Sequence, residues 1–266
     1  MKLLIITTMK PMIMPFITEQ TNSVLSWTKL RINPTIIVYG DDKGVPEFCA
    51  EHNIRNIKEI PKNSQGVPFI SEIIKAGYSQ MVDHDYIMYI NADILLMDDF
   101  SDTVEAFHTQ YPDVKSCLLT AIRFDVMKFS LIDYGDEKWR DRVKAEFVGK
   151  NSPPDGIDIF LHRKDNYLGM PKYVIARTAF DTWMLDRAIK TFEMSVDMTK
   201  TVKPYHHFGM WYQANKVVPR SWSLLEKVSY ADNQRLLRGV TLENRSINQC
   251  KYYSAYDGDK LVFLKK

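Results

Sequence analysis

The stretch DYIMYINADILLMDDF, residues 85–100, decides the expected fold of this chain. Its first apolar run, residues 86–90, ends in Asn91-Ala92-Asp93. A short β-prone run bounded by polar residues predicts a strand that is buried on both faces. Ligands of open α/β sheets bind at the carboxyl ends of such strands. A carboxylate held there costs desolvation free energy unless it has a partner. We therefore expect Asp93 to meet a hard cation, Mg²⁺ or Mn²⁺, together with phosphate oxygens.

Outward from this strand, short apolar runs alternate with segments of helical spacing. In the first half the predicted strands are residues 3–7, 35–39, 54–58, 86–90 and 114–122, and the predicted helices are residues 16–30, 46–52, 68–82 and 100–110. Such alternation predicts right-handed βαβ crossovers. The expected fold class is therefore α/β, with a mostly parallel, Rossmann-like central sheet flanked by helices.

The second half of the chain has a less regular pattern. We predict strands at residues 158–162, 173–176 and 260–264, and helices at residues 136–147, 181–193 and 221–238. The segment NSPPDG, residues 151–156, is a loop by composition. The expectation is one domain, residues 1–266, in which this loop separates a larger half, residues 1–150, from a smaller one, residues 151–266.

Composition restricts the function classes. A net charge of +2 with scattered basic residues does not indicate a nucleic-acid partner. Three cysteines at wide spacing favour neither a zinc site nor a disulfide framework, and a reducing compartment follows. The apolar run at residues 3–6 is too short for a signal peptide. No apolar stretch approaches the roughly 20 residues of a membrane span, so we expect a cytoplasmic protein without a transmembrane segment.

Polar residues follow three predicted strands of the first half: Thr7-Thr8, Asp41-Asp42 and Asn91-Ala92-Asp93. In a parallel sheet these ends share one edge. Threonine hydroxyls suit a nucleobase or phosphate, carboxylates after the second strand suit a ribose or base, and Asp93 suits the metal. Two alternatives remain open, because Asp41-Asp42 has turn composition and Asp93 has the chemistry of a helix cap.

The Asn-Ala-Asp element resembles the metal-binding DxD element of GT-A glycosyltransferases. Further segments are similar to a family of small GT-A-type transferases of bacteria, plants and large viruses; these are Gly66-Val67-Pro68, Arg123-Phe124-Asp125, GIDIF at residues 156–160, ARTAFDTW at residues 176–183, YHHF at residues 205–208 and NQRL at residues 233–236. The matches span residues 2–240. Ala176 and Thr182 depart from the usual Gly and Asn, and the second change concerns the acceptor side.

The resemblance implies a GT-A fold and transfer of a hexose or pentose from a nucleotide-diphosphate sugar, UDP-sugar favoured, to a hydroxyl acceptor such as a glycan. The donor-binding residues that it implies are Thr7, Thr8, Asp41, Asp42, Gly66, Asn91, Ala92 and Asp93. The acceptor- or phosphate-binding residues are Arg123, Asp125, Arg177 and Trp183. The metal ligands are Asp93 and His206, and the cofactor is Mn²⁺ or Mg²⁺.

Direct sugar transfer needs a carboxylate that takes the proton of the acceptor hydroxyl. It also needs positive charge on the departing diphosphate, which the metal and Arg177 would supply. We assign Asp181 as the base and Asp158 as the residue that holds the acceptor. As alternatives, Asp181 caps a helix, and Asp158, inside a strand, faces either a cleft or solvent.

His206 and His207 both qualify as the late metal ligand, and alignment favours His206. Imidazole binds Mn²⁺ better than Mg²⁺. The alternative is a histidine packed among the aromatic residues at 205–212.

Two other function classes stay open. A nucleotidyltransferase of related fold would carry a glycine-rich basic loop after the first strand, and residues 7–11 lack the glycines. A catalytically silent nucleotide-sugar or glycan-binding protein would not need Asp93, Asp158 and Asp181 together. Donor base, sugar, acceptor and stereochemistry are not determined by the sequence.

Overall fold

The structure, a computed structural model, describes residues 1–127, 130–175, 179–207, 224–237 and 246–266. The strands within these ranges are β1 (Leu3–Thr8), β2 (Thr35–Tyr39), β3 (Arg55–Ile57), β4 (Tyr86–Ile90), β5 (Ile94–Leu95), β6 (Cys117–Thr120), β7 (Phe124–Val126), β8 (Gly149–Asn151), β9 (Ile159–His162), β10 (Met194–Asp197), β11 (Tyr205–His207), β12 (Tyr252–Asp257) and β13 (Lys260–Lys265). The helices are α1 (Ile17–Thr28), α2 (Val45–Glu51), α3 (Ile70–Gln80), α4 (Asp98–Gln110), α5 (Trp139–Glu146), α6 (Phe180–Thr191) and α7 (Leu224–Leu236).

The main sheet has the strand order β13-β12-β10-β6-β9-β4-β1-β2-β3. Strand β1 pairs in parallel with β2 and β4, and β2 with β3. On the other side β6, β10 and β12 are also parallel neighbours. Strands β9 and β13 are antiparallel to their neighbours. The expected α/β class with a mostly parallel sheet flanked by helices is confirmed.

Helices cover both faces of this sheet because side chains alternate along its strands. Leu3 and Ile5 of β1 pack on one face with residues of α1, α2 and α4. Leu4 and Ile6 pack on the other face with α3 and α6. Strand β4 is buried along its whole length, as the apolar run predicts.

A second sheet, of order β5-β11-β7-β8, lies next to the carboxyl end of β4. Strand β11 pairs antiparallel with β5 and parallel with β7. In this register His206 lies opposite Ile94 on one side and Asp125 on the other. This small sheet therefore brings residues from three distant parts of the chain to the end of β4.

The predictions hold best in the first half, where β2 and β4 have the expected bounds. In the second half, β9 lies between β4 and β6, so the segment after the predicted loop inserts into the centre of the main sheet. The predicted loop itself is part strand, because Asn151 ends β8. The strand predicted at residues 173–176 is wrong for residues 173–175, where only an isolated bridge joins Val174 to Phe69, and Ala176 lies outside the described residues.

In the part of the chain that the structure describes, no helix is long and apolar enough to cross a membrane.

Candidate active site at the carboxyl edge of the sheet

Parallel pairing places the ends of β2, β1 and β4 along one edge of the sheet. Asp41 follows β2 and Asp93 follows β4, with β1 between them. Two strand spacings separate them, which is about 10 Å at about 4.8 Å per strand. The edge is thus wide enough for a nucleoside at one carboxylate and a diphosphate at the other.

Asp93 lies in the turn after β4, where the N–H of Ile94 donates to the carbonyl of Asn91 at 3.2 Å. Its Oδ1 is buried and has no hydrogen-bond partner in the part of the chain that the structure describes. Its Oδ2 lies 3.7 Å from Lys10 Nζ. Burial opposes ionisation, but the charges of Lys10, His206 and Arg123 outweigh it and hold the pKa of Asp93 below the ordinary value. Asp93 is therefore an ionised carboxylate with one unsatisfied oxygen.

Asp158 lies just before β9 and uses both carboxylate oxygens. Oδ1 accepts from Asn91 Nδ2 at 2.7 Å, and Oδ2 accepts from an Arg123 Nη at 2.8 Å. The backbone N–H of Asn91 also donates to the Asp158 carbonyl at 3.2 Å. Asp158 is therefore buried and holds Arg123 at the carboxyl end of β4, while its role in holding an acceptor stays a prediction.

Asp125, in β7, joins Arg123 to His206. Its Oδ1 accepts from His206 Nδ1 at 2.8 Å and from Arg123 Nε at 3.2 Å, and its Oδ2 accepts from the Ser152 hydroxyl. Burial opposes ionisation, but these donors outweigh it and keep the pKa of Asp125 low. An ionised carboxylate only accepts, so Nδ1 of His206 carries the hydrogen and Nε2 is the ring nitrogen for a ligand.

His206 lies close enough to Asp93 for the two charges to interact. Burial disfavours the imidazolium, but Asp125 and Asp93 outweigh it and raise the pKa of His206. A carboxylate on the far nitrogen is the usual support of a metal-binding histidine. No group of three or more His, Cys, Asp or Glu side chains that could hold a metal occurs among the described residues. Two protein groups suffice for Mg²⁺ or Mn²⁺ where waters complete the shell, some of which substrate phosphates can replace.

Asp181 lies in the first turn of α6. Its Oδ1 accepts from the backbone N–H of Thr182 at 2.8 Å and of Ala179 at 3.1 Å. Burial raises the pKa of Asp181 to about 6, and the charge of Asp158 adds to the shift. Ala179, and not Asp181, is the N-cap residue of α6, so the cap that the sequence left as an alternative is not formed. The two backbone contacts of Oδ1 coexist with a pKa suited to a base near neutral pH.

Asp41 lies apart from this cluster, in an open groove of about 540 Å³ lined by residues 58–62. Its Oδ1 accepts from Lys62 Nζ at 2.8 Å. Asp42 is exposed beside it, and its carbonyl accepts from the Val45 N–H at 2.9 Å, which closes a turn. The turn alternative is thus realised in the backbone, while both carboxylates stay at the edge of the sheet.

The remaining predicted donor-side residues have different surroundings. Thr7 is fully buried, and its hydroxyl donates to the Ile90 carbonyl at 2.6 Å, which ties β1 to β4 and disfavours a ligand contact. Thr8 is half-buried at the end of β1. Ala92 is buried. Gly66 is exposed at φ +77 in a turn whose Asn63 contacts Ser229 of α7 at 3.1 Å.

On the acceptor side, the Trp183 ring packs against Tyr167 and Tyr173, with ring centroids 6.2 Å apart in each pair. Arg177, together with the predicted aromatic residues beyond 207, lies outside the described residues.

Three residues of this edge were not predicted from the sequence. Lys10 lies two residues after β1 and faces Asp93. Gln20 of α1 clamps the Lys10 backbone, accepting from its N–H at 2.6 Å and donating to its carbonyl at 3.0 Å. Ser152 supports Asp125. Only Lys10 had a signal, because a basic residue directly after the first strand falls on the ligand edge of a parallel sheet.

The fold is similar to that of S. aureus TarS, a glycosyltransferase. A crystal structure of TarS 1–349 matches with a TM-score of 0.50 and 11% sequence identity, over 92% of this chain and 77% of that one. The same part in complex with UDP-GlcNAc matches with a TM-score of 0.50 and 12% identity, over 94% and 79%. Against the longer TarS structure the TM-score is 0.50 at 10% identity, and the chain spans 45% of it.

No protein-family model matches the chain, and no curated protein matches its sequence. At identities this low, the likeness to TarS concerns the fold alone. The chain therefore has a GT-A-like fold.

Proposed function

We propose that this protein is a metal-dependent glycosyltransferase that moves a sugar from a nucleotide-diphosphate donor to a hydroxyl acceptor. One observation carries the proposal. Asp93 is a largely buried, ionised carboxylate at the ligand edge of the sheet, and its Oδ1 has no hydrogen-bond partner among the described residues. The ammonium group of Lys10 lies 3.7 Å from its Oδ2. Such an oxygen costs free energy for as long as it has no partner. A divalent cation carrying a diphosphate would satisfy it.

In this proposal the donor lies along the edge of the sheet. The groove beside Asp41 takes the nucleoside, and the diphosphate reaches Asp93, about two strand spacings away. Asp93 and His206 Nε2 hold Mn²⁺ or Mg²⁺, which supplies positive charge to the departing diphosphate. Asp125 keeps the ring of His206 in one orientation through Nδ1.

Asp181 accepts the proton in this proposal. As the acceptor oxygen bonds to the anomeric carbon, its proton passes to the Asp181 carboxylate, and the bond between that carbon and the diphosphate oxygen breaks. A pKa of about 6 makes Asp181 ionised and still basic near neutral pH. Asp158 does not suit proton transfer, because Asn91 and Arg123 already occupy its oxygens. Asp158 therefore positions Arg123 beside the reacting groups.

UDP-sugars are the first donors to test, because TarS, which shares the fold, was crystallised with UDP-GlcNAc. A glycan is the acceptor class we favour. The first experiment therefore identifies the nucleotide.

The test is a thermal-shift screen of nucleoside diphosphates and nucleotide sugars, each with and without Mn²⁺. A ligand at 100 times its dissociation constant stabilises the folded protein by about 2.7 kcal/mol. We expect a Mn²⁺-dependent rise in Tm with one nucleotide, and we expect Asp93→Ala to abolish it. Asp113→Ala removes an exposed carboxylate and is the matched control. The absence of a shift with all nucleotides, in folded protein, would reject the proposal.

A turnover assay then separates the alternative functions. Transfer of labelled sugar with release of the nucleoside diphosphate supports the proposal. Nucleotide binding without any transfer or donor hydrolysis would indicate a silent binding protein. Formation of pyrophosphate from a nucleoside triphosphate and a sugar 1-phosphate would indicate a nucleotidyltransferase.

A further inference from the structure

The backbone of Lys10 is held in place by hydrogen bonds, whereas its side chain can change position. Its backbone N–H and carbonyl are both bound by the side chain of Gln20, which is buried. Its Nζ lies 3.7 Å from Asp93 Oδ2, beyond hydrogen-bond distance, and 4.9 Å from the centre of the Phe16 ring. The side chain is 40% exposed. The loop after β1 therefore places the ammonium group of Lys10 at the ligand edge of the sheet. This group can move while the backbone of the loop stays in place.

The charge balance at Asp93 changes when a cation arrives. Before that, the ammonium group of Lys10 lies 3.7 Å from the Asp93 carboxylate. A divalent cation bound to that carboxylate repels the ammonium, since both are positive. A diphosphate brings negative oxygens to the same place, and an ammonium binds them as a compact point charge with three donors. The same lysine thus has one partner before ligand binding and another afterwards.

We propose that Lys10 exchanges Asp93 for the donor diphosphate when the cation and nucleotide bind, and that it then neutralises the negative charge that develops on the departing diphosphate. This inference rests on the proposed function and adds a residue to it. It also makes Lys10 a competitor of the metal in the absence of nucleotide.

The exchange predicts effects of opposite sign for the two ligands. In Lys10→Met, Mn²⁺ alone should bind more tightly than to the unmodified protein, because its cationic competitor is gone. The nucleoside diphosphate, in saturating Mn²⁺, should bind about tenfold more weakly or worse, because a hydrogen bond between charged groups is lost. Uridine, which has no phosphate, should show no change. A lysine that only supported the loop would weaken all three ligands alike.

The experiment is isothermal titration of the full chain with Mn²⁺, then with UDP and with uridine in saturating Mn²⁺. Another nucleoside diphosphate replaces UDP, and its nucleoside replaces uridine, where the screen selects a different base. Lys75→Met, an exposed lysine of α3, is the matched control and should bind all ligands normally. Lys10→Arg keeps the charge and should recover most of the diphosphate affinity. Thermal unfolding of each variant verifies folding.

Three results would overturn the inference in distinguishable ways. If Lys10→Met binds the diphosphate as tightly as the unmodified protein, Lys10 has no role in binding, while the proposed function stands. If Mn²⁺, diphosphate and nucleoside all bind more weakly, the role of Lys10 is structural. If the unmodified protein binds no nucleoside diphosphate in Mn²⁺, the proposed function and the role of Lys10 fall together.

Discussion

Replacing Asp181 by Asn should stabilise the protein and abolish most of its activity. The raised pKa, about 6 against 3.8, means that the folded state binds the proton more tightly than the unfolded state does. A shift of about two units corresponds to about 3 kcal/mol at neutral pH. Because the Asp181 side chain keeps some contact with solvent, we expect solvent to reduce this to about 2 kcal/mol.

Proton linkage determines the direction in which the stability of the protein changes with pH. Between pH 4 and pH 6 (about the pKa of the unfolded and of the folded state) the folded state holds the proton and the unfolded state does not. Stability therefore falls as the pH rises through this window. The asparagine side chain of the variant carries no charge, and its carbonyl oxygen can still accept from Thr182 and Ala179. The variant should thus equal the parent protein below about pH 4 and exceed it above about pH 6.

Urea unfolding at pH 4, 6 and 8 measures the difference. Asp186→Asn is the control, because Asp186 lies on the same helix and pairs with Lys190 at 2.9 Å, so its loss should bring no gain. The rate of sugar transfer by Asp181→Asn should be lower by about 10²–10⁴-fold, which is the usual contribution of a general base. A stability difference that is independent of pH, or a variant less stable at pH 8, would refute the reasoning. A variant that is stabilised but fully active would leave Asp181 a strained helix residue without a part in transfer.

Two further variants test the packing around the site. Arg123→Met leaves the buried carboxylates of Asp125 and Asp158 without their shared cation, so the free energy of unfolding in urea should fall by about 3 kcal/mol. Arg123→Lys keeps the charge and should lose less. A loss under about 1 kcal/mol for Arg123→Met would contradict the assigned role. Gly77→Ala places a Cβ 2.5 Å from Ile87 Cδ1 and 3.0 Å from Ile6 Cδ1. Both atoms are the ends of side chains that can shift, and alanine gains about 1 kcal/mol of helix propensity, so calorimetry should show a net destabilisation of no more than about 2 kcal/mol from overpacking. A rise in Tm would mean that the neighbouring side chains accommodate the Cβ without cost.

The elements that the sequence predicts well are those whose hydrophobic pattern is local. Strand β4 is a continuous apolar run, and α3 shows one apolar face, so period alone identifies them. The short strands β5, β7 and β11 carry two or three residues each and have no periodic signal. These strands form because β11 pairs with β5 on one side and with β7 on the other. A strand of that length is defined by its partners.

The same distinction between local pattern and long-range contact applies to the residues of the candidate site. Asp93 is predictable, because it follows the buried strand of a parallel sheet directly. The surroundings of Asp158 are not, since its partners Asn91 and Arg123 lie 67 and 35 residues away along the chain. The sequence also left open whether Asp158 faces a cleft or solvent, and the structure places it in an ion pair instead. The position of Lys10 after the first strand is a signal in the sequence, but its contact with Asp93 and its hydrogen bonds to Gln20 depend on how the loop after β1 is placed.

By itself, the sequence determined that the chain forms a mostly parallel α/β sheet with polar residues after several strands, because burial on two faces and helical spacing are properties of neighbouring residues. The tertiary structure decided what each of those polar residues is. In the fold, Asp93 has an oxygen without a hydrogen-bond partner among the described residues, and both oxygens of Asp158 are bound. Burial raises the pKa of Asp181 to about 6. Charge, desolvation and hydrogen bonding act through space, so they depend on which distant segments the fold brings together.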